Sequence, residues 1–153
     1  MTEGNKMPII RETKGDLLES NIQTLVVPVN TVGVMGKGLA LHFKIHFPGL
    51  LEQYQKACQD NVFKDKGIFV YTLNKGRQVL CFPSKRHWKY SSRLIWIEEA
   101  LKVIVRDYKE LGITELAIPA VGCGLGGLLW EDVRNLIYQY LDPLEIDITV
   151  FVP

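Results

Sequence analysis

The 153-residue chain has few cysteines, almost no net charge and no long apolar run, and each shortage removes a class of protein. Cys58, Cys81 and Cys123 are an odd number with no C-x-x-C spacing, which supports neither a disulfide framework nor a cysteine zinc site and fits a reducing cytoplasm. No apolar stretch approaches the length of a membrane span, and the opening MTEGNKMPII lacks the continuous apolar core of a signal peptide. The expected location is therefore cytoplasmic, with no membrane partner. Eighteen basic against seventeen acidic residues leave a net charge of +1, so attraction to nucleic acid has to come from a local patch. Internal repeats and low-complexity stretches are missing as well. What remains, 47% hydrophobic and 23% charged, is average for a globular chain and excludes a disordered tail, a coiled coil or a collagen-like fibre. At this length a single domain over residues 1–153, monomeric by default, buries roughly 70% of its unfolded surface.

Short β-branched or aromatic runs predict strands at Ile9 to Glu12, Leu25 to Val29, Ile68 to Leu73, Gln78 to Phe82, Leu116 to Pro119 and Ile146 to Val152. Leu25 to Val29 and Leu116 to Pro119 are apolar at consecutive positions, the pattern of central strands covered on both faces. A long helix follows Ser91 or Ser92 as its cap. Leu94, Ile97, Leu101, Ile104, Val105, Tyr108 and Leu111 recur there at spacings of three and four until Gly112 stops it. Gly38 to Phe47 places Leu39, Phe43 and Phe47 on one stripe, after which Pro48 opens a new turn toward Tyr54. Trp130 to Leu141 carries Val133, Leu136, Ile137 and Tyr140 on one face. Asn74 to Arg77 reads as a hairpin turn, so antiparallel pairing joins parallel crossovers in a mixed sheet. The fold class expected is α/β, a three-layer α/β/α sandwich.

The strongest local signal is a repeated arrangement of strand, glycine-rich loop and helix. NTVGVMGKG follows Leu25 to Val29, and AVGCGLGGL follows Leu116 to Pro119. Glycines remove the Cβ that blocks backbone N–H groups from a phosphate, and a helix amino terminus adds roughly half a positive charge. Tight turns explain one such loop as well; two in equivalent places favour a grip on a diphosphate. The first loop, with Gly33, Gly36, Lys37 and Gly38, lacks the gap and the hydroxyl residue of a P-loop, which disfavours a kinase or ATPase. Gly122, Gly124 and Gly127 satisfy G-x-G-x-x-G, with Asp147 about 20 residues on, but the chain holds no second mononucleotide half, which disfavours a nicotinamide dehydrogenase.

KGDLL (Lys14 to Leu18), VPVNTVGVMGKGLALHF (Val27 to Phe43), FPSKRHW (Phe82 to Trp88) and AIPAVGCGLGGLLW (Ala117 to Trp130), in that order and spacing, resemble the macro domain family. The resemblance spans nearly the whole chain and implies an ADP-ribose-binding module with no cofactor. Within the family the chain looks most like the DNA ADP-ribosyl glycohydrolase (DarG antitoxin) branch, and next like the terminal ADP-ribose protein glycohydrolase. It implies that Asp16 reads the adenine amine, with an ordinary helix cap as the plainer alternative, and that Asn30 bonds the distal ribose, although a strand-end turn residue accounts for Asn30 equally. Thr31, Gly33, Met35, Gly36 and Gly38, with Gly122, Cys123, Gly124, Leu125, Gly126 and Gly127, then close over the diphosphate and ribose. Phe151 packs on adenine or in the core. The protein-directed enzyme pairs its lysine with a loop aspartate, where this chain reads Leu125, Gly126 and Gly127, which favours the DNA branch. The DNA-directed antitoxins carry a further carboxy-terminal region that contacts the toxin. This chain stops just after the macro-like unit, and a cognate ADP-ribosyltransferase toxin is the protein partner implied.

Lys85 is the candidate catalytic residue. It is flanked by Arg86, His87 and Lys89, and a lysine among cations loses less by being neutral, so its pKa is expected to fall toward that of a nucleophilic amine. The resemblance makes the matching lysine catalytic, as a nucleophile at the anomeric carbon or as the group that positions or protonates the leaving base. Arg86, His87, Trp88, Lys89, Tyr90 and Arg93 interleave cations with aromatics, as single-stranded DNA binders do; a solvated loop with Trp88 tucked into the core is the plainer alternative. His42 and His46 share a helix face but lack an intervening Glu and a third ligand, so no metal is expected. Cys123 lies near a helix amino terminus, where a thiolate is stabilised, yet has no partner base. The readings weighed are a glycohydrolase acting on ADP-ribosylated DNA, a non-catalytic ADP-ribose-binding module, and a hydrolase of protein-linked or small-molecule ADP-ribose derivatives.

Overall fold

Leu25, Val26 and Val27 are wholly shielded from solvent, as are Leu116, Ala117 and Ile118, which is what an unbroken apolar run requires of strands covered on both faces. In the computed structural model, which describes residues 7–153, these runs become β2 (Thr24–Val29) and β5 (Glu115–Pro119). The first six residues of the expected domain lie outside the described residues. Around them stand β1 (Ile10–Thr13), β3 (Phe69–Thr72), β4 (Gln78–Pro83) and β6 (Asp147–Phe151), in the order β1-β6-β5-β2-β4-β3. All neighbours run parallel except β3 against β4, whose antiparallel hairpin closes through Leu73 N–H to the Arg77 carbonyl (2.8 Å).

Side-chain alternation sorts the helices into two layers. Val26, Leu80, Phe82, Leu116 and Ile118 face α4 (Leu94–Asp107) and α5 (Trp130–Leu141). Leu25, Val27, Val29, Val79 and Cys81 face α1 (Gly38–His46), α2 (Leu50–Gln59) and α3 (Val62–Lys66). The three-layer α/β/α sandwich and the mixed sheet are as expected. No helix among the described residues is long and apolar enough to cross a membrane.

Three details differ from the sequence reading. The turn after Pro48 is the full helix α2, seated through Leu50, Tyr54 and Ala57 and entered through Gly49 at φ +94°. The helix α3 was not anticipated. Neither serine caps α4: Arg93 is its N-cap and makes no side-chain cap bond, because Ser92 is drawn inward and donates its N–H to the Gly126 carbonyl (3.0 Å). At the far end α4 itself stops at Asp107 with Tyr108 as its C-cap, and Gly112, at φ +69°, closes the turn beyond it, with Ile113 N–H bonded to the Tyr108 carbonyl (2.9 Å).

The two poles of the sheet differ in chemistry. At the amino end of β2 and β5, Gln23 Nε2 donates to the Gly76 and Gly112 carbonyls (2.9 and 3.0 Å) and its Oε1 accepts from Thr114 N–H (3.0 Å), tying three turns together. The glycine loops leave from the opposite pole.

Candidate functional site

β5, β2 and β4 lie side by side and parallel, so the loops that follow Pro119, Val29 and Pro83 all emerge at one end of the sheet. The chain crosses to opposite sides of β2 after these strands, which opens a crevice at the strand tips. A cleft of about 580 Å³ occupies it, formed by Asn30, Gly36, Lys37 and Gly38 from the first loop, Ser84, Lys85 and Trp88 from the third, and Gly122, Gly124, Leu125 and Gly126 from the second. The glycine loops touch: a Cβ at Gly38 would lie 3.8 Å from Leu125 Cδ1. Among the described residues no carboxylate lines the cleft, while Lys37 and Lys85 bring two amines. Among the described residues, the N–H groups of Gly122, Gly124, Leu125 and Gly126 bond to no protein acceptor. A cleft with unpaired N–H donors, two cations and no acid suits an anion.

Asn30 shapes the first loop. Its Oδ1 accepts from Val32 N–H (3.1 Å) and Val34 N–H (3.3 Å), and its Nδ2 donates to the Val34 carbonyl (2.8 Å). The buried Tyr54 hydroxyl shares its proton between the Asn30 carbonyl (2.7 Å) and Oδ1 (2.8 Å). Burial raises the Tyr54 pKa far above its ordinary value, so it stays a donor. Asn30 is therefore mainly a brace, with one amide hydrogen left for a ligand. Gln55 Nε2 anchors the same loop at the Gly33 carbonyl (3.0 Å).

Lys85 is half-buried; its N–H donates to the Val29 carbonyl (3.3 Å) and its Nζ to the Trp88 carbonyl (3.4 Å). The run around it divides. Arg86 turns away, paired with Glu99 (3.4 Å) and stacked over Trp96 (5.0 Å), while Arg93 approaches the same ring from 5.9 Å. With Thr31, whose hydroxyl donates to the Arg86 carbonyl (3.0 Å), Arg86 lines a separate hollow of about 330 Å³. Cations adjacent in sequence are thus not all crowded around Lys85 in space. Trp88 does not tuck into the core: it is 49% exposed, with His87 beside it (5.2 Å) and Tyr90 beyond (5.4 Å). Lys89 is exposed, its N–H bonded to His87 Nδ1 (3.1 Å).

Several candidates fall outside the lining. Asp16, exposed at the same pole but by edge strand β1, accepts from Leu18 N–H (3.0 Å) and caps the short turn Leu17–Glu19. Met35 is buried among Phe43 and Tyr54, so only its backbone can face a ligand, and Gly33 is buried behind the loop. Cys123 is half-buried, and burial, with Asp132 adding to it, pushes its thiol up to about 11, so a stabilised thiolate at this helix start is not what forms. Phe151 is half-buried against the α1–α3 layer. His42 and His46 are exposed on α1, and no cluster of three metal-ligating side chains occurs among the described residues. The cleft also contains residues the sequence reading did not select: Lys37, exposed at the start of α1, and Ser84, buried before Lys85. Lys37 lies within the Gly33 to Gly38 stretch expected to close over the diphosphate, and its place between two glycines after a strand is the signal that marks it individually.

The Macro domain family model matches residues 26–137. The DNA ADP-ribosyl glycohydrolase of Thermus aquaticus is 42% identical over 95% of this chain, which spans 41% of that relative's length. The macrodomain of Mycobacterium tuberculosis DarG superposes with a TM-score of 0.90 at 36% identity, covering 95% of this chain and 99% of that one. A Thermosipho africanus DarTG structure in complex with ADP-ribose gives a TM-score of 0.88 at 42% identity, over 93% of this chain and 41% of its own.

Proposed function

Because the chain belongs to the macro domain family, we propose that its cleft takes ADP-ribose and that the protein removes ADP-ribose from modified DNA bases of thymidine type. The observation that carries this reading is the meeting of two glycine loops and Lys85 in one acid-free cleft. The diphosphate lies across the free N–H groups of the second loop and the amino end of α1, with Lys37 nearby, and the distal ribose comes up against Lys85 and the remaining Asn30 hydrogen. Adenine extends toward the β6 and β1 tips, where Phe151 and Asp16 stand. The relatives named DNA ADP-ribosyl glycohydrolase support the substrate class, and a Thermosipho africanus relative named as a fusion with a DNA ADP-ribosyl transferase supports a transferase toxin as partner.

In the step proposed, the Lys85 amine attacks the anomeric carbon of the distal ribose. The bond to the base breaks with its electron pair leaving on the base nitrogen, which takes up the amine's proton. Water then adds to the same carbon and returns the free lysine. With no carboxylate in the lining, lysine has the proton-transfer role that an acid holds elsewhere. Incubation with ADP-ribosylated DNA, ADP-ribosylated protein and small ADP-ribose derivatives tests the reading: released ADP-ribose is expected from the DNA substrate. Binding without release from any of the three would leave a recognition module instead.

Strand binding is assigned to the exposed Trp88 and Tyr90 faces, with Lys89, Arg93 and, at the far side of the loop, Arg86 on phosphates. Affinity for a modified single strand should then fall with salt, with a log–log slope of about −2 for three neutralised phosphates. Affinity flat between low and high salt would remove the basic loop from the interface.

A further inference from the structure

Ser92 Oγ is a buried polar side-chain atom that finds no hydrogen-bond partner among the described residues. Ser92 is 5% exposed, so solvent does not satisfy it. An unpaired buried hydroxyl is a standing cost, and native folds carry few of them. Its location joins two parts of the site. Ser92 lies near the end of the run that bears Lys85, one residue before the α4 N-cap Arg93, and its backbone N–H holds the Gly126 carbonyl (3.0 Å).

The position a Cβ would take at Gly126 is overlapped by both Ser92 Oγ and the Gly122 carbonyl oxygen. The two polar atoms thus lie against the same face of one glycine without being bonded to each other. The Gly122 carbonyl already accepts from Leu128 N–H (2.9 Å), and a carbonyl oxygen has a second lone pair to offer. Glycines at 122, 124, 126 and 127 leave this segment free to adjust, while Ser92 is fixed at the start of α4.

We propose that Ser92 is a positioning residue for the cleft: unbonded in the free protein, its hydroxyl donates to the Gly122 carbonyl once a diphosphate has drawn the glycine loop inward. Binding thereby recovers a hydrogen bond that the free fold forgoes, and the loop closes against the segment that carries Lys85. This rests on the reading of the cleft as an ADP-ribose site. The N–H groups of Gly122, Gly124, Leu125 and Gly126 supply the pull, and the hydroxyl supplies the stop.

The device has a signature that an ordinary structural serine lacks, because Ser92→Ala moves two quantities in opposite directions. Without ligand, its thermal midpoint should hold or rise by up to about 2 to 4 °C, since a buried unpaired group is gone. Calorimetric affinity for ADP-ribose should nevertheless fall about fivefold, with a smaller ligand-induced thermal shift than in the native protein. A lower midpoint without ligand, or unchanged affinity, overturns the assignment while the native protein's binding keeps the cleft reading intact. Absence of ADP-ribose binding by the native protein removes both together.

Discussion

Replacing Lys85 by alanine is expected to lower the release of ADP-ribose from modified DNA by about a thousandfold, the usual range for a lost catalytic proton-transfer or nucleophilic group. Binding should survive, because the cradle is built from backbone: the free N–H groups of the second loop and the start of α1 lie on other strands' loops and do not depend on this side chain. Calorimetry with ADP-ribose and a release assay on the same preparation separate the two quantities. Lys85→Arg sharpens the result. Arginine keeps the positive charge but is never neutral, so it can hold a phosphate and cannot attack a carbon. If the amine is the reacting group, the arginine variant is as inactive as the alanine one; if only charge is needed, it recovers much of the activity. Turnover within tenfold of the native rate in Lys85→Ala would end the assignment of this lysine to the chemistry.

The second large effect is expected at Gly126. A methyl group placed there overlaps both Ser92 Oγ and the Gly122 carbonyl, and the second of these is backbone, which gives way only if the loop itself shifts. Gly126→Ala should therefore cost about 1–3 kcal/mol of stability, as overpacking does, and lower ADP-ribose affinity by more than tenfold because the whole loop shifts. Gly124→Ala is the control: nothing lies within 4 Å of its added methyl, so urea unfolding should stay at the native midpoint. Combining Gly126→Ala with Ser92→Ala removes one of the two overlaps. The double variant should regain part of the lost stability, and strict additivity of the two changes would show that the atoms do not meet.

Much of the frame was legible because it depends on patterns that tertiary context rarely overrides. The consecutive apolar residues of Leu25 to Val29 cannot be exposed on either face, and β2 is indeed central. The stripe from Leu94 to Ile104 fixes α4 for the same reason. By contrast α2 carries Glu52, Gln53, Gln55 and Lys56 on its outer side and is held by Leu50, Tyr54 and Ala57, too few apolar positions to stand out beside the Pro48–Gly49 break. The cap of α4 was misread because Ser91 and Ser92 are the residue type that caps helices, whereas Ser92 is held by a glycine 34 positions later in the chain, a contact no local pattern records.

Within the site, the glycine loops and Lys85 were legible from residue type and order, and the structure brings them into one cleft. The direction of individual side chains was not. Arg86 and Lys85 are neighbours in sequence, yet one lines the large cleft and the other pairs with Glu99 across a different hollow, because successive residues leaving β4 point to opposite sides. Asn30 is singled out by the resemblance as a ribose contact, whereas its role as the brace of a loop emerges only from its bonds to Val32, Val34 and Tyr54.

The hairpin at Asn74 to Arg77 has a practical use. Lys75 and Gly76 are exposed at the pole where Gln23 gathers the turns, a full strand length from the loops that follow Val29, Pro83 and Pro119. A fluorophore, a surface tether or an inserted peptide placed there leaves the opposite rim open, and exposed turns of this kind accept such additions. Orienting the molecule by that tip presents the cleft outward, so a sensor surface built this way leaves it open to each of the ligands to be tested.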